Sequence, residues 1–310
     1  MVKSKLKVRK ERNGLHLFDR KSGLHILVDE VKFEDDFHIA PRTVSIALTN
    51  KCNLGCYYCY APKNNMTLPK EFVKNLAQKL DKLGVLEITF GGGEPFLHPD
   101  IIEICKWIWE NTNLGITITT NGTLLNKVVV EDIKDYISFL RISIDGSSST
   151  YRKIKRTELE QVLANISHIN DFIPFGLNVI ARPGYVKEVE NVADLALEIG
   201  AKNILIIPEH KNGNFILNKE DWEELKNIIM EYISRIEIYV TYDVTNFISI
   251  PTLDLNDNGE FLFVHVSADK KLKLNSFQED GIPINDDTSN LEEVILKLRE
   301  LYFKEVGGRI

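Results

Sequence analysis

From residue 44 the chain alternates short β-rich runs with helix-length segments, and that rhythm limits the folds open to it. Runs rich in β-branched residues stand at 44–49, 86–90, 116–120, 137–144, 176–181 and 203–207. Strand and helix in turn give a parallel sheet with right-handed crossovers. The six runs predict an α/β fold: an open, six-stranded parallel barrel over 44–235. Residues 1–43 are expected to form a separate lead-in. After about residue 236 the alternation stops, and 236–310 reads as a small C-terminal β/α cap over the barrel mouth.

Local signals support this division. Leu15–Phe18 and Leu24–Val28 flank a turn that holds Gly23, the pattern of a β-hairpin. Thr157 with Glu160 three residues on reads as a capping box. Behind it Leu159, Val162, Leu163, Ile166 and Ile169 form one apolar stripe. Asn218 can cap a helix whose stripe is Trp222, Leu225, Ile228, Ile229 and Tyr232. In the last third, strands are expected at 236–240, 261–266 and 271–274, then a helix at 291–303.

The formal charge of −7 argues against a broad nucleic-acid or anionic-membrane surface, which would need a basic excess. No apolar run approaches the roughly 20 residues that cross a bilayer, and the start lacks the apolar core of a signal peptide. A cytoplasmic location is expected.

Three of the four cysteines, Cys52, Cys56 and Cys59, fall within eight residues. A disulfide framework would be spread out, so the cluster of thiols points to metal. Thiolate suits both iron–sulfur clusters and zinc. Structural zinc closes with four protein ligands, and here the others are Cys105, remote in sequence, or His38 and His98. Three cysteines on a cubane would leave one iron for a small molecule. Three core cysteines is the remaining reading. Cys105 itself lies on an Ile101, Ile104, Cys105, Ile108 stripe and reads as core.

The run Thr49-Asn50-Lys51-Cys52-Asn53-Leu54-Gly55-Cys56-Tyr57-Tyr58-Cys59-Tyr60 resembles the signature of the radical S-adenosylmethionine (SAM) superfamily. The resemblance implies a partial (β/α)6 TIM-like barrel, one [4Fe–4S] cluster on the three cysteines, and SAM on the fourth iron. It places Tyr58 near the adenine. Phe90-Gly91-Gly92-Gly93-Glu94-Pro95 matches the family's glycine motif, so Gly92, Gly93, Glu94 and Pro95 are expected at the SAM amino group. Ser143 and Asp145 match the strand that binds ribose and carboxylate. Asn121 and Asn178, at the ends of neighbouring strands, are expected to face the cofactor, and Arg152 or Arg156 to pair its carboxylate.

Residues 265–277 resemble the hairpin that follows the barrel in the SPASM and twitch branches, but Asn275 stands where a first auxiliary-cluster cysteine belongs. One cluster is therefore expected. The implied chemistry needs an external one-electron reductant of ferredoxin or flavodoxin type. Thr120–Leu125 and Ser143–Gly146 resemble the peptide-modifying branch, which implies a peptide or protein side chain as substrate. The lead-in hairpin could add a strand to such a peptide. A small metabolite or nucleotide is the alternative, and a non-catalytic iron–sulfur or zinc protein a third.

Overall fold

The computed structural model describes residues 6–169, 172–211, 214–251 and 261–307. The barrel strands are β4 (Thr43–Thr49), β5 (Glu87–Gly92), β6 (Gly115–Thr120), β7 (Phe139–Ser143), β8 (Phe175–Ala181) and β9 (Asn203–Pro208). They pair in that order, all parallel. The helices between them are α1 (Lys70–Lys82), α2 (Ile101–Asn111), α3 (Lys127–Ile133), α4 (Ser148–Lys155), α5 (Leu159–Ile166) and α6 (Glu188–Glu198).

Each strand has one apolar and one polar face, as the twofold alternation of side chains requires. Ile46, Ile88, Ile116, Leu140, Leu177 and Ile204 are buried in a continuous core with Leu76, Ile104, Ile108 and Val192 of the helices. The opposite face carries Ser45, Thr89, Thr119, Arg141 and Ser143, all half-buried. A closed TIM barrel fills that space with bulky branched side chains. Here that face carries small and polar residues instead. One end is plugged: Arg141 Nη1 donates to Asn178 Oδ1 and Asn203 Oδ1, both at 3.3 Å, and Thr117 donates to Glu87.

The alternation does not stop at residue 236. Helix α7 (Lys219–Tyr232) leads into a strand at Glu237–Val240 that pairs parallel with β9. At the other edge Phe263–Val266 pairs parallel with β4, and antiparallel strands Lys271–Lys273 and Ile282–Pro283 follow. The expected cap strands thus continue the same sheet, which has two free edges and does not close. The last helix, Leu291–Gly307, is longer than expected.

Asn218 and Asp221 make a reciprocal capping box on α7, and its whole stripe is buried. The box at Thr157 and Glu160 does not form. Glu158 takes the N-cap place without a side-chain cap, its carboxylate meets Arg152, and Glu160 accepts from Ser148 Oγ at 2.7 Å. Both acids hold the α4–α5 corner instead.

The lead-in has three strands rather than two. β1 (Lys7–Glu11), β2 (Gly14–Asp19) and β3 (Leu24–Val28) form a separate antiparallel sheet. Arg9 anchors it through carbonyls of Gly84 and Ala40, and Glu11 pairs with Arg42. β3 lies at its edge with Leu24, Ile26 and Val28 exposed. Among the described residues no helix is long and apolar enough to cross a membrane.

Candidate active site at the barrel mouth

The cysteine loop leaves the C-terminal end of β4, where barrel sites lie. Its neck is pinned. Asn50 N donates to Met66 O at 2.8 Å, Leu68 N to Leu48 O at 2.9 Å, and the hydroxyls of Thr49 and Thr67 meet at 2.8 Å. The loop therefore leaves and re-enters at one point and presents its thiols outward. Cys52 is exposed, Cys56 and Cys59 are half-buried, and all are free thiols.

The glycine loop supports it from β5. Gly93 N donates to Thr49 O at 2.7 Å and Glu94 N to Lys51 O at 2.8 Å. A Cβ on Gly93 would stand 2.1 Å from Lys51 O, and one on Gly92 would stand 2.4 Å from Thr49 O. Gly92 also has φ +113°, a left-handed conformation that favours glycine. These two glycines are thus needed for the close approach of the cysteine loop. A Cβ on Gly91 would meet open space, so that part of the loop is left uncovered.

Glu94 differs from expectation. Its side chain is fully buried and accepts from Phe96 N at 3.2 Å, Thr120 Oγ1 at 2.8 Å and Asn121 N at 2.9 Å. Burial raises its carboxyl to about 6 in spite of these donors. It ties β5 to β6, and beside it Pro95 opens a short 3-10 turn. Asn121 bridges to the cysteine loop: its Nδ2 donates to Asn53 Oδ1 at 2.9 Å and lies 4.0 Å from Cys52 Sγ. Thr123 fixes its Oδ1.

Opposite these stands Asp145, 1% exposed. It accepts from the Tyr58 hydroxyl, from Lys155 Nζ at 2.7 Å and from Ile180 N at 3.2 Å. Burial and the Asp145 charge push the Tyr58 phenol upward, so it stays protonated. Burial pulls the Lys155 ammonium down, but Asp145 together with the Cys56 and Cys59 thiols turns the net shift upward. Asp145 is thus an organising anion with its partners in place, not an open acceptor. Gly146 lets Glu188 of α6 cap the following turn through Ser147 N at 2.7 Å. Ser143, in register with Asn178, lines the wall below, half-buried.

Three buried polar side chains at the mouth escaped the sequence reading. Lys155 and Tyr151 share the buried face of α4, and the Tyr151 hydroxyl is buried without a hydrogen-bond partner. Their i, i+4 spacing beside Ile154 was the available signal. Arg182, directly after β8, is the third. Arg152 and Arg156 lie outside the site. Both are exposed, Arg152 pairs with Glu158, and Arg156 ends α4 with φ +57°. His98 Nε2 donates to Leu68 O at 2.8 Å and its Nδ1 accepts from Asp100 N, a structural role. Cys105 is fully buried, and burial pushes its thiol up.

The loop after Lys271–Lys273 packs on the cysteine loop through aromatic rings. Phe277 lies 5.4 Å from Tyr60 and stacks on His210 at 4.6 Å. Asn275 accepts from Phe277 N and Gln278 N, shaping this turn.

Among the described residues no three His, Cys, Asp or Glu side chains converge as for a single metal ion. A cubane makes no such demand, because each thiolate binds a different iron. A pinned three-thiol loop with a buried cation and an unpartnered hydroxyl beside it fits a cluster with an open iron.

The chain is similar to known proteins in sequence and in fold. The Radical SAM superfamily profile matches residues 46–196. A probable GTP 3′,8-cyclase of Methanocaldococcus jannaschii is 32% identical over 177 residues, covering 54% of this chain and 59% of that protein. The chain thus spans about three fifths of that relative's length. An uncharacterised protein of the same organism is 31% identical over 202 residues, covering 60% and 71%. In structure, Streptococcus suis SuiB bound to precursor peptide SuiA aligns with TM-score 0.75 at 14% identity, covering 95% of this chain and 88% of that one. SuiB has also been solved with SAM. Superfamily members are enzymes that use a [4Fe–4S] cluster and SAM. The chain belongs to the radical SAM superfamily.

Proposed function

We propose that Cys52, Cys56 and Cys59 hold one [4Fe–4S] cluster, and that SAM lies in the barrel mouth between the glycine loop and Asp145. The carrying observation is that hydrogen bonds join the cysteine loop to both walls, through Gly93, Glu94 and Asn121 on one side and Tyr58 on the other. When bound, the two cofactors supply one-electron cleavage of SAM and a hydrogen-abstracting radical, fed by an external ferredoxin- or flavodoxin-type donor.

The chain's own residues position and shield. The open backbone at Gly91 receives the SAM amino group. Lys155 and Tyr151 lie on the carboxylate side. Ser143 lines the wall toward the ribose, while Asn178 is engaged by Arg141, and Tyr58 flanks the adenine. Glu94 and Asp145 act one step back, holding these elements in register. The ring of apolar strand residues behind them excludes water.

The substrate we infer is a peptide or protein side chain. The exposed edge of β3, with Leu24, Ile26 and Val28 on one face, offers strand pairing to an extended segment. Likeness in fold to SuiB over nearly the whole chain supports this. The GTP 3′,8-cyclase similarity favours a second reading, a nucleotide inside the barrel. Mass spectrometry of material that copurifies with the protein, and of SAM-dependent products from added peptides and nucleotides, separates the two. A product only from nucleotides overturns the peptide reading.

A further inference from the structure

Arg182 is the largest side chain that is fully buried, at 1% exposure. Its place is fixed by a turn. Tyr185 N donates to Arg182 O at 2.9 Å across Pro183 and Gly184, with Gly184 at φ +70°, the type II arrangement. Asp221, the capping acid of α7, accepts from Gly184 N at 3.1 Å and locks the turn. From there the guanidinium reaches over the strand ends to β7. Nη2 donates to the main-chain oxygen of Asp145 at 2.9 Å.

Among the described residues Nε and Nη1 have no hydrogen-bond partner. A buried guanidinium with most of its donors unmet is costly, and guanidinium cannot escape by deprotonation. The nearby carboxylates do not meet the need. Asp145 gives its side-chain oxygens to Lys155, Tyr58 and Ile180 N. Glu209 acts on Arg182 only from a distance, without an ion pair. Rings of Tyr58 and Tyr185 flank the cation at 5.8 and 5.7 Å. Among the described residues no carboxylate pairs directly with this guanidinium, and two of its three nitrogens are left without a hydrogen-bond partner at the barrel mouth.

We propose that Arg182 is the receptor for an oxyanion, a carboxylate or phosphate, carried by the second substrate. Two cations flank Tyr58, and they face different ways. Lys155 feels Cys56 and Cys59, which places it on the cluster side. Arg182 instead interacts with the Tyr57 side chain, by charge and hydrogen bond, and acts on Glu209, the residue after β9. SAM carries one carboxylate, and Lys155 is the cation nearer the cluster. Arg182 is left for the other reactant, and its planar donors suit a carboxylate or phosphate better than a lysine would. The substrate is then anionic near the atom that reacts. This rests on the reading of the mouth as the SAM site.

The experiment uses reconstituted protein at low ionic strength and calorimetric titration. The probes are S-adenosylhomocysteine, methylthioadenosine (which lacks the amino-acid part), and inorganic pyrophosphate added to the S-adenosylhomocysteine complex. The wild type is expected to bind pyrophosphate. Arg182→Gln should weaken it by about tenfold or more, and Arg182→Lys by less. S-adenosylhomocysteine affinity should stay within about twofold in both. Arg182→Lys keeps the charge and serves if Arg182→Gln does not fold. Pyrophosphate binding that is absent, or unchanged in the variants, overturns the proposal and leaves an ordered water as the partner. A tenfold loss of S-adenosylhomocysteine affinity with methylthioadenosine unaffected also overturns it, by assigning Arg182 to the cofactor. If the wild type binds no S-adenosylhomocysteine, it is the SAM-site reading that fails.

Discussion

At the scale of single residues, the site depends on buried charges whose partners are other parts of the protein. Glu94 accepts three hydrogen bonds from the neighbouring loop and strand end. Glu94→Ala strands buried donors, each costing about 1–3 kcal/mol. Metal-free Glu94→Ala should therefore lose about 3 kcal/mol in urea unfolding, and it should load less iron. A full iron content with unchanged stability would show that Glu94 touches only the cofactor. Cys105→Ala should keep its iron and lose about 1 kcal/mol from core packing; loss of the cluster would contradict the core assignment. The cysteine triplet and the glycine motif stand out in the sequence because each chemistry demands a residue type at a fixed spacing, whereas the bond from Asn121 to Asn53 of the cysteine loop is not legible there. Lys155 and Arg182 do not stand out either. A buried cation is recognised by its partners, and Asp145 lies 10 and 37 residues away from them (155 − 145 and 182 − 145).

At the scale of elements, caps and edges decide what holds. Asn218→Ala removes half of the α7 capping box and should cost about 1 kcal/mol, read as a lower urea midpoint; no shift would mean that packing alone starts the helix. The edge strand Phe263–Val266 carries a pH dependence. His265 is 3% exposed beside Ser45, and burial, helped by Lys273, pushes it down to about 4. Its folded pKa is depressed below the ordinary value of about 6.5. Below that value the unfolded chain gains a proton that the fold refuses, so stability falls as pH falls toward the folded pKa. The loss between about pH 7 and about pH 5 should be about 2 kcal/mol, and His265→Gln should remove it. An equal pH slope in that variant would clear His265. The barrel strands were readable from alternation of apolar and polar residues. Failure came at Thr157 and Glu160, where a valid capping pattern lost to tertiary partners Ser148 and Arg152. It came again at residue 236, where the strand at 236–240 is legible but its parallel pairing with β9 is not, because so short a segment does not reveal which sheet edge it joins.

At the scale of the molecule, an open sheet with a polar inner face carries the cysteine loop at one end and a hydrogen-bonded plug at the other. Auxiliary-cluster cysteines are missing from the C-terminal hairpin, and Phe277, His210 and Tyr60 stack in that region. Anaerobic reconstitution should therefore yield about four irons and four sulfides per chain; about eight would refute a single cluster. The most direct measurement of the central claim is 5′-deoxyadenosine formation from SAM under dithionite, with iron assayed on the same samples. Wild type should form it, and Cys52→Ala, Cys56→Ala and Cys59→Ala should each lose both cluster and product. Iron-loaded wild type that forms no 5′-deoxyadenosine, or a cysteine variant that still forms it, would contradict the account.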